Sequence, residues 1–303
     1  TQLEKVKDYA EKKNILMKGD IPILVSPNSA DVWHDRENFD FTHVAGTPPD
    51  EFNQWGQKWN FPLFNWKYIE KTDYAWWKRR LNVASSYYHI YRVDHVVGFF
   101  RIWSILPKDN PMLGKFLPRD PKKWPLHGKK RLSKFLEIST MLPLAEDLGL
   151  IPNFVYTTLK DLGICGTKIM RWQLNKEIHH YEPISMTSLS THDLPLTEDW
   201  WKNSIEAKAY AKRKNWKYSF VLSFEQKKEI LWESHHTSSL FHINLLPEYF
   251  SLFPDLVWPN PEDQRINTPG TLSHKNWTYR FKQYLEEIID HKDLKKAIQE
   301  ILD

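Results

Sequence analysis

Four short apolar runs in this chain end in carboxylates. Residues 15–17 lead into Gly19-Asp20, 88–93 into Arg92-Val93-Asp94-His95, 138–144 into Ala145-Glu146-Asp147, and 184–189 into Thr191-His192-Asp193. A single acid after a strand carries little information, because Asp and Glu also favour helix N-termini. Four of them, two with a histidine beside the acid, point to one cleft. Two chemistries use several carboxylates facing one space: oxygen ligation of a divalent cation, and cleavage of a glycosidic bond by one ionised carboxylate and one protonated carboxyl. Arg92 separates them. It stands two residues before Asp94 on a strand, hence on the same side, where a guanidinium repels a cation and keeps Asp94 charged. Glycosyl chemistry is favoured, and an Arg–Asp pair that only stiffens the strand is the alternative.

The elements that would carry these residues alternate. Further apolar runs at 167–172 and 240–245 join the first four, and amphipathic stretches at 73–87, 154–162, 200–212 and 223–234 lie between them. Strand followed by helix, repeated, predicts parallel βαβ units and an α/β fold. In a barrel of parallel strands the active site lies at the C-terminal ends, where the acids fall. Segments 26–65 and 107–130 read as loops from their prolines, the second with solvated lysines 122, 123, 129 and 130. Residues 277–302 read as one surface helix from apolar positions 281, 284, 285, 288 and 289.

Composition excludes several classes. The chain has 303 residues with 41% hydrophobic and 26% charged side chains, ordinary for a globular protein. Only 10 glycines are present and no G-x-G-x-x-G or P-loop occurs, which argues against nucleotide binding. Aromatics make up 15%, with 15 tryptophans, and the apolar C–H face of a pyranose lies well on an indole. A net charge of +4 is too diffuse to call for a nucleic-acid or membrane partner. The single cysteine, Cys165, allows no intrachain disulfide and no thiolate metal cluster. No run of about 18 apolar residues occurs, and the first 14 residues are too charged for a signal peptide, so a cytoplasmic protein is expected.

A series of motifs then resembles one family, the 4-α-glucanotransferases (amylomaltases, disproportionating enzymes) of glycoside hydrolase family 77. They run from Gly19-Asp20-Ile21-Pro22-Ile23 and Ser29-Ala30-Asp31-Val32-Trp33 through Ala45-Gly46-Thr47-Pro48-Pro49-Asp50 with Phe52, Gly56-Gln57, Trp59, Pro62 and Trp66. They continue with Trp76-Trp77 and Arg80, Arg92-Val93-Asp94-His95, Gly98-Phe99, Trp103, Ala145-Glu146-Asp147-Leu148-Gly149, Thr191-His192-Asp193, Trp200-Trp201, and Asn267-Thr268-Pro269-Gly270 leading to Asn276-Trp277. The pattern is closer to the plant-type cytosolic disproportionating enzymes. It departs at Asn60, Phe64 and Glu198, where the family usually has Gly, Tyr and Arg.

The resemblance implies a (β/α)8 TIM-barrel catalytic domain over residues 1–303, with an acceptor-side loop at 45–66 and an insertion at 107–130. It implies Asp94 as nucleophile, Glu146 as acid/base and Asp193 as transition-state stabiliser, with Asp147 a structural acceptor. The three acids lie 52 and 47 residues apart, which suits consecutive and next-but-one barrel strands. Arg92, His95, His192, Asp20, Asp50, Trp55, Gln57 and Trp59 would bind substrate, with Trp66 as a further platform. No cofactor and no metal are implied. The expected donors are maltooligosaccharides and α-1,4-glucans such as starch and glycogen, with glucose or a glucan as acceptor. A glucan-binding chain without turnover and an α-glucan hydrolase are the alternatives. The family places Gly19-Asp20 after the third barrel strand, and the apolar runs give six strands, near Ile15, Tyr91, Leu144, Ile169, Thr187 and Phe241. An incomplete barrel lacking its first two strands is therefore expected, with unpaired edges at its first and last strands and weak catalysis by this chain alone.

Overall fold

In the computed structural model, residues 1–50, 53–173 and 176–303 are described. Contacts cluster into two compact units, Thr1–Gly166 and Thr167–Asp303.

The first unit holds β1 (Lys18–Ile21), β2 (Phe39–Thr47), β3 (Gln57–Phe64), β4 (Ile90–Val93), β5 (Ile102–Ile105), β6 (Lys115–Leu117), β7 (Leu142–Ala145) and the first residues of β8 (Cys165–Ile169). Strands β1, β4, β7 and β8 pair in parallel in that order. Helices Ala75–Ser85, Trp124–Ile138 and Asn153–Asp161 occupy the connections, as parallel pairing requires. β4 and β7 are apolar almost throughout, the pattern of strands covered on both faces. Arg92 is the one charged residue on β4.

The core of this unit is aromatic. Trp77 packs on Phe135 at 4.6 Å, Trp76 on Trp77 at 5.0 Å, and Phe99 on Phe135 at 5.1 Å. Gly128, inside helix Trp124–Ile138, lets that helix reach the core, since a Cβ there would lie 2.0 Å from the Phe100 ring. Gly128→Ala is therefore expected to destabilise the protein by about 1–3 kcal/mol through overpacking. A thermal melt checks this, and an unchanged or raised Tm would contradict it.

The segments at 26–65 and 107–130 are more ordered than their prolines suggest. Strands β2 and β3 form an antiparallel hairpin that continues through β5 to β6. Pro62 sits where the β2–β3 register shifts, so its missing N–H interrupts no regular ladder. Pro111 and Pro121 open short 3-10 helices and Pro125 opens helix Trp124–Ile138, positions where the N–H has no helical partner anyway. Asn60 adopts φ 61, the left-handed backbone that suits the family's usual glycine and that asparagine tolerates. Phe52, quoted in the family pattern, lies outside the described residues.

The second unit continues β8 and adds β9 (Ser185–Ser188) and β10 (Phe241–His242), the last two parallel. Helices Thr197–Asn203, Ile205–Arg213, Phe224–His235 and Lys292–Leu302 pack around Trp200, Trp201, Tyr210, Leu231 and Ile301. The stretch at 200–212 is two helices rather than one, because Ser204 breaks the run and caps the second through Ala207 N–H at 3.3 Å. The C-terminal segment also differs from the single surface helix expected. It is non-helical to Tyr284, then forms Leu285–Asp290 and Lys292–Leu302, the second capped by His291 Nδ1 at 3.0 Å and burying Leu294, Ala297 and Ile301.

Five of the six expected parallel strands contain the residue that predicted them, and the sixth, β1, begins three residues after Ile15. Among the described residues β1 pairs only with β4 and β10 only with β9.

Candidate active site

Strand register brings three carboxylates of the first unit to one guanidinium. Asp20 is level with Arg92 across the β1–β4 pair, and Val93 is level with Ala145 across β4–β7, so Asp94 and Glu146 leave neighbouring strand ends together. Arg92 Nη1 lies 2.9 Å from Asp20 Oδ1 and 2.8 Å from Asp94 Oδ1, and its Nη2 lies 3.6 Å from Glu146 Oε2. Burial opposes the arginine's charge, but Asp94, Glu146 and Asp20 outweigh it, so Arg92 is held more firmly protonated than usual. The second oxygen of Asp94 accepts from Ile23 N–H at 3.1 Å. The Asp94 carboxylate is thus fixed at both oxygens.

Glu146 is treated differently. Burial raises its carboxyl from 4.5 to about 8, and the neighbouring Asp94 and Asp147 charges act in the same direction. Arg92 and the His95 N–H, which donates to Oε2 at 2.7 Å, oppose that rise without cancelling it. The two acids side by side therefore have opposite characters, one ion-paired and one protonated at neutral pH, which is the division of labour that acid-assisted displacement needs. His95 turns the chain after β4 with φ 42, and burial, with the Arg92 and Arg101 charges, lowers its imidazole to about 4. It is neutral at pH 7, able to hydrogen-bond a hydroxyl without adding charge.

Trp59 stands edge-on to His95 at 5.1 Å, and its Nε1–H donates to Gln57 Oε1 at 3.0 Å, the two residues sharing one face of β3. Asp50 and Trp55 belong to the turn between β2 and β3, where Asp50 Oδ1 accepts from Asn53 N–H at 2.7 Å and Trp55 is 63% exposed. Trp66, expected as a further platform, packs on Phe64 and Phe99, with the Arg131 guanidinium 3.9 Å over its ring, and is partly buried against the core. Asp147 is buried, and Gly166 leaves room for it, since a Cβ there would lie 2.4 Å from its Oδ2. Arg80 lies 5.0 Å over Trp76 and 5.1 Å over Trp77, close enough for its charge to act with Asp94, Asp20 and Asp31.

In the second unit, Asp193 Oδ1 accepts from Asn267 Nδ2 at 2.6 Å, and Asp193 Oδ2 lies 3.4 Å from His192 Nε2. The His192 ring lies 5.1 Å from Trp277, and Arg265 Nη2 donates to the Asp193 carbonyl at 3.4 Å. Asn267 belongs to a motif quoted above, but its contact with Asp193 spans 74 residues and has no local signal.

A family model described as 4-alpha-glucanotransferase, glycoside hydrolase family 77, matches residues 1–286. The curated 4-alpha-glucanotransferase of Chlamydia pneumoniae is 46% identical over 309 residues, covering 99% of this chain and 58% of that protein. The amylomaltase of Streptococcus agalactiae, solved in complex with acarbose, superposes with a TM-score of 0.80 at 27% identity, covering 99% of this chain and 59% of that one. The amylomaltase of Corynebacterium glutamicum, at 21% identity and a TM-score of 0.78, shares the fold. This chain thus spans less than two thirds of the length of these relatives. Its fold class is the expected one, the α/β barrel type with an incomplete set of parallel strands among the described residues. By family model, sequence identity and fold together, the chain belongs to the 4-alpha-glucanotransferases of glycoside hydrolase family 77.

Proposed function

We propose that this chain carries the retaining machinery that moves α-1,4-glucan segments between sugars. The observation that carries the reading is the pair formed by Asp94, ion-paired to Arg92 at 2.8 Å, and Glu146, raised to about 8. Asp94 attacks the anomeric carbon of the donor while Glu146 gives its proton to the departing glycosidic oxygen, forming a covalent β-glucosyl ester. Glu146, now a carboxylate, takes the proton of an acceptor 4-hydroxyl as that oxygen displaces Asp94, and the α configuration returns. Asp193 and His192 grip the 2- and 3-hydroxyls of the cleaved sugar, a role that rests on the family pattern. Asp20, Asp50, His95, Trp55, Gln57 and Trp59 are assigned to substrate contacts on the same ground, with Trp59 beside His95 best supported.

Transfer in place of hydrolysis requires that a sugar reach the intermediate before water does. The β2–β3 hairpin is assigned that covering role. Maltooligosaccharides and the α-1,4-glucans of starch and glycogen are the proposed donors, and glucose or a glucan the acceptor. That the related Streptococcus agalactiae amylomaltase binds acarbose supports a sugar groove here. No helix among the described residues is long and apolar enough to cross a membrane, and the cytoplasm is the proposed compartment.

Incubation of the purified protein with maltotriose tests this. A ladder of both longer and shorter oligomers is expected. Shorter products alone would make the chain a hydrolase, and binding without any product would overturn the reading. Because the Arg92 guanidinium occupies the space that a cation among these carboxylates would take, chelator treatment is expected to leave the rate unchanged. A chelator-sensitive rate would contradict the assigned roles.

A further inference from the structure

The loop that presents His192 and Asp193 is clamped at both ends by a carboxylate remote in sequence. Glu248, on helix Leu246–Phe250, is 1% exposed. Its Oε1 accepts from Ser190 Oγ at 2.5 Å, on the residue that enters the loop. Both of its oxygens accept from Thr197 N–H, at 3.2 and 3.1 Å, on the residue that leaves it. Helix Thr197–Asn203 has Leu196 before it and no side-chain cap of its own, so Glu248 supplies the missing acceptor. A third tie comes from Arg171, also buried, whose Nη1 donates to the Pro195 carbonyl at 2.8 Å and whose charge acts on Glu248. Ser188 Oγ donates to the Ser190 carbonyl at 2.6 Å and completes the entry side.

A buried carboxyl is costly to keep unless it is hydrogen-bonded, and burial raises the Glu248 carboxyl above its usual range, with Ser190, Arg171 and Thr197 opposing that rise. Helix packing alone does not require one here, since an apolar side chain would fill the same volume. What a carboxylate supplies that an apolar group cannot is a fixed distance between residues 190 and 197, and hence a fixed path for the six residues between them. We propose that Glu248 is a positioning residue for Asp193, holding the loop 191–196 at both ends so that the Asp193 carboxylate meets the sugar in the transition state. The inference rests on the reading of Asp193 given above.

Glu248→Gln tests it, because in either orientation of the amide one of the two oxygens that accept from the Thr197 N–H is replaced by an N–H donor. Displacement of a reacting group by about 1 Å costs about 10²-fold in rate, so kcat for maltotriose disproportionation is expected to fall by that order with KM little changed. A lower folded fraction would also lower kcat, so the deciding comparison is the double variant. In an Asp193→Asn background Glu248→Gln is expected to cost nothing further, whereas a purely structural loss would multiply. Ser190→Ala, which removes one donor to Glu248, is expected to cost about tenfold, an order of magnitude below that displacement figure, with the same non-additivity. It decides the matter if Glu248→Gln fails to fold. Unchanged kcat in both single variants, or multiplying losses in the double variants, would overturn the inference. An Asp193→Asn variant with full activity would instead overturn the role of Asp193 itself.

Discussion

Asp94→Asn is expected to abolish transfer, by about four orders of magnitude or more in kcat, as loss of a covalent nucleophile does elsewhere. The amide has nearly the shape of the carboxylate but cannot form the glucosyl ester. It also fits its cradle less well. Asp94 Oδ1 is ion-paired to Arg92 Nη1 at 2.8 Å and Oδ2 accepts from Ile23 N–H at 3.1 Å, so either orientation of the amide sets its N–H against a cation or a donor. Glucan affinity and a thermal melt separate the chemical loss from any local disturbance. Retention of more than a few per cent of activity, with the protein folded and binding glucan, would remove Asp94 from its role.

Glu146→Gln is expected to have the second large effect, and a donor-dependent one. With maltotriose both half-reactions fail, because the first needs a proton from Glu146 and the second needs its carboxylate, and a loss of about 10²–10⁴-fold is expected. With α-glucosyl fluoride the first half-reaction returns, since fluoride departs without a proton, and the ester then accumulates. The pH dependence of the unmodified protein follows from the raised carboxyl. Glu146 is protonated below about 8 and loses its proton as the pH rises through that value, so transfer from maltotriose is expected to fall above about 8. Stability has the same sign. A carboxyl raised from 4.5 to about 8 on folding contributes stability that is fully present below 4.5 and is lost as the pH rises through 8. Glu146→Gln removes that dependence. A basic limb that persists unchanged in the variant with the fluoride donor would assign the proton to another group.

Much of the site was legible from local rules. Arg92 and Asp94 share a side because strands repeat every two residues, and the acids follow apolar runs because the βα turns open there. The limits were equally physical. Pro62, Pro111, Pro121 and Pro125 mark irregular pairing and helix starts, whereas Pro27, Pro48, Pro49, Pro107 and Pro118 lie in connections, and a single-chain pattern does not distinguish the two. Trp66 reads like Trp59 in sequence, yet one packs on Phe64 and Phe99 and the other stands against His95. Contacts that close over 72 or 74 residues, such as Arg265 and Asn267 with Asp193, leave no trace in spacing. Nor does the character of Glu146, which comes from burial that only the folded chain provides.

The most direct test of the double displacement is mass spectrometry of the Glu146→Gln variant after incubation with α-glucosyl fluoride. The predicted result is one added anhydroglucose unit, localised by peptide fragmentation to the Asp94 side chain and lost again when a small external nucleophile such as azide is supplied. An adduct on a different carboxylate would contradict the assignment of the nucleophile. Release of fluoride with no covalent adduct at any time would contradict the covalent mechanism.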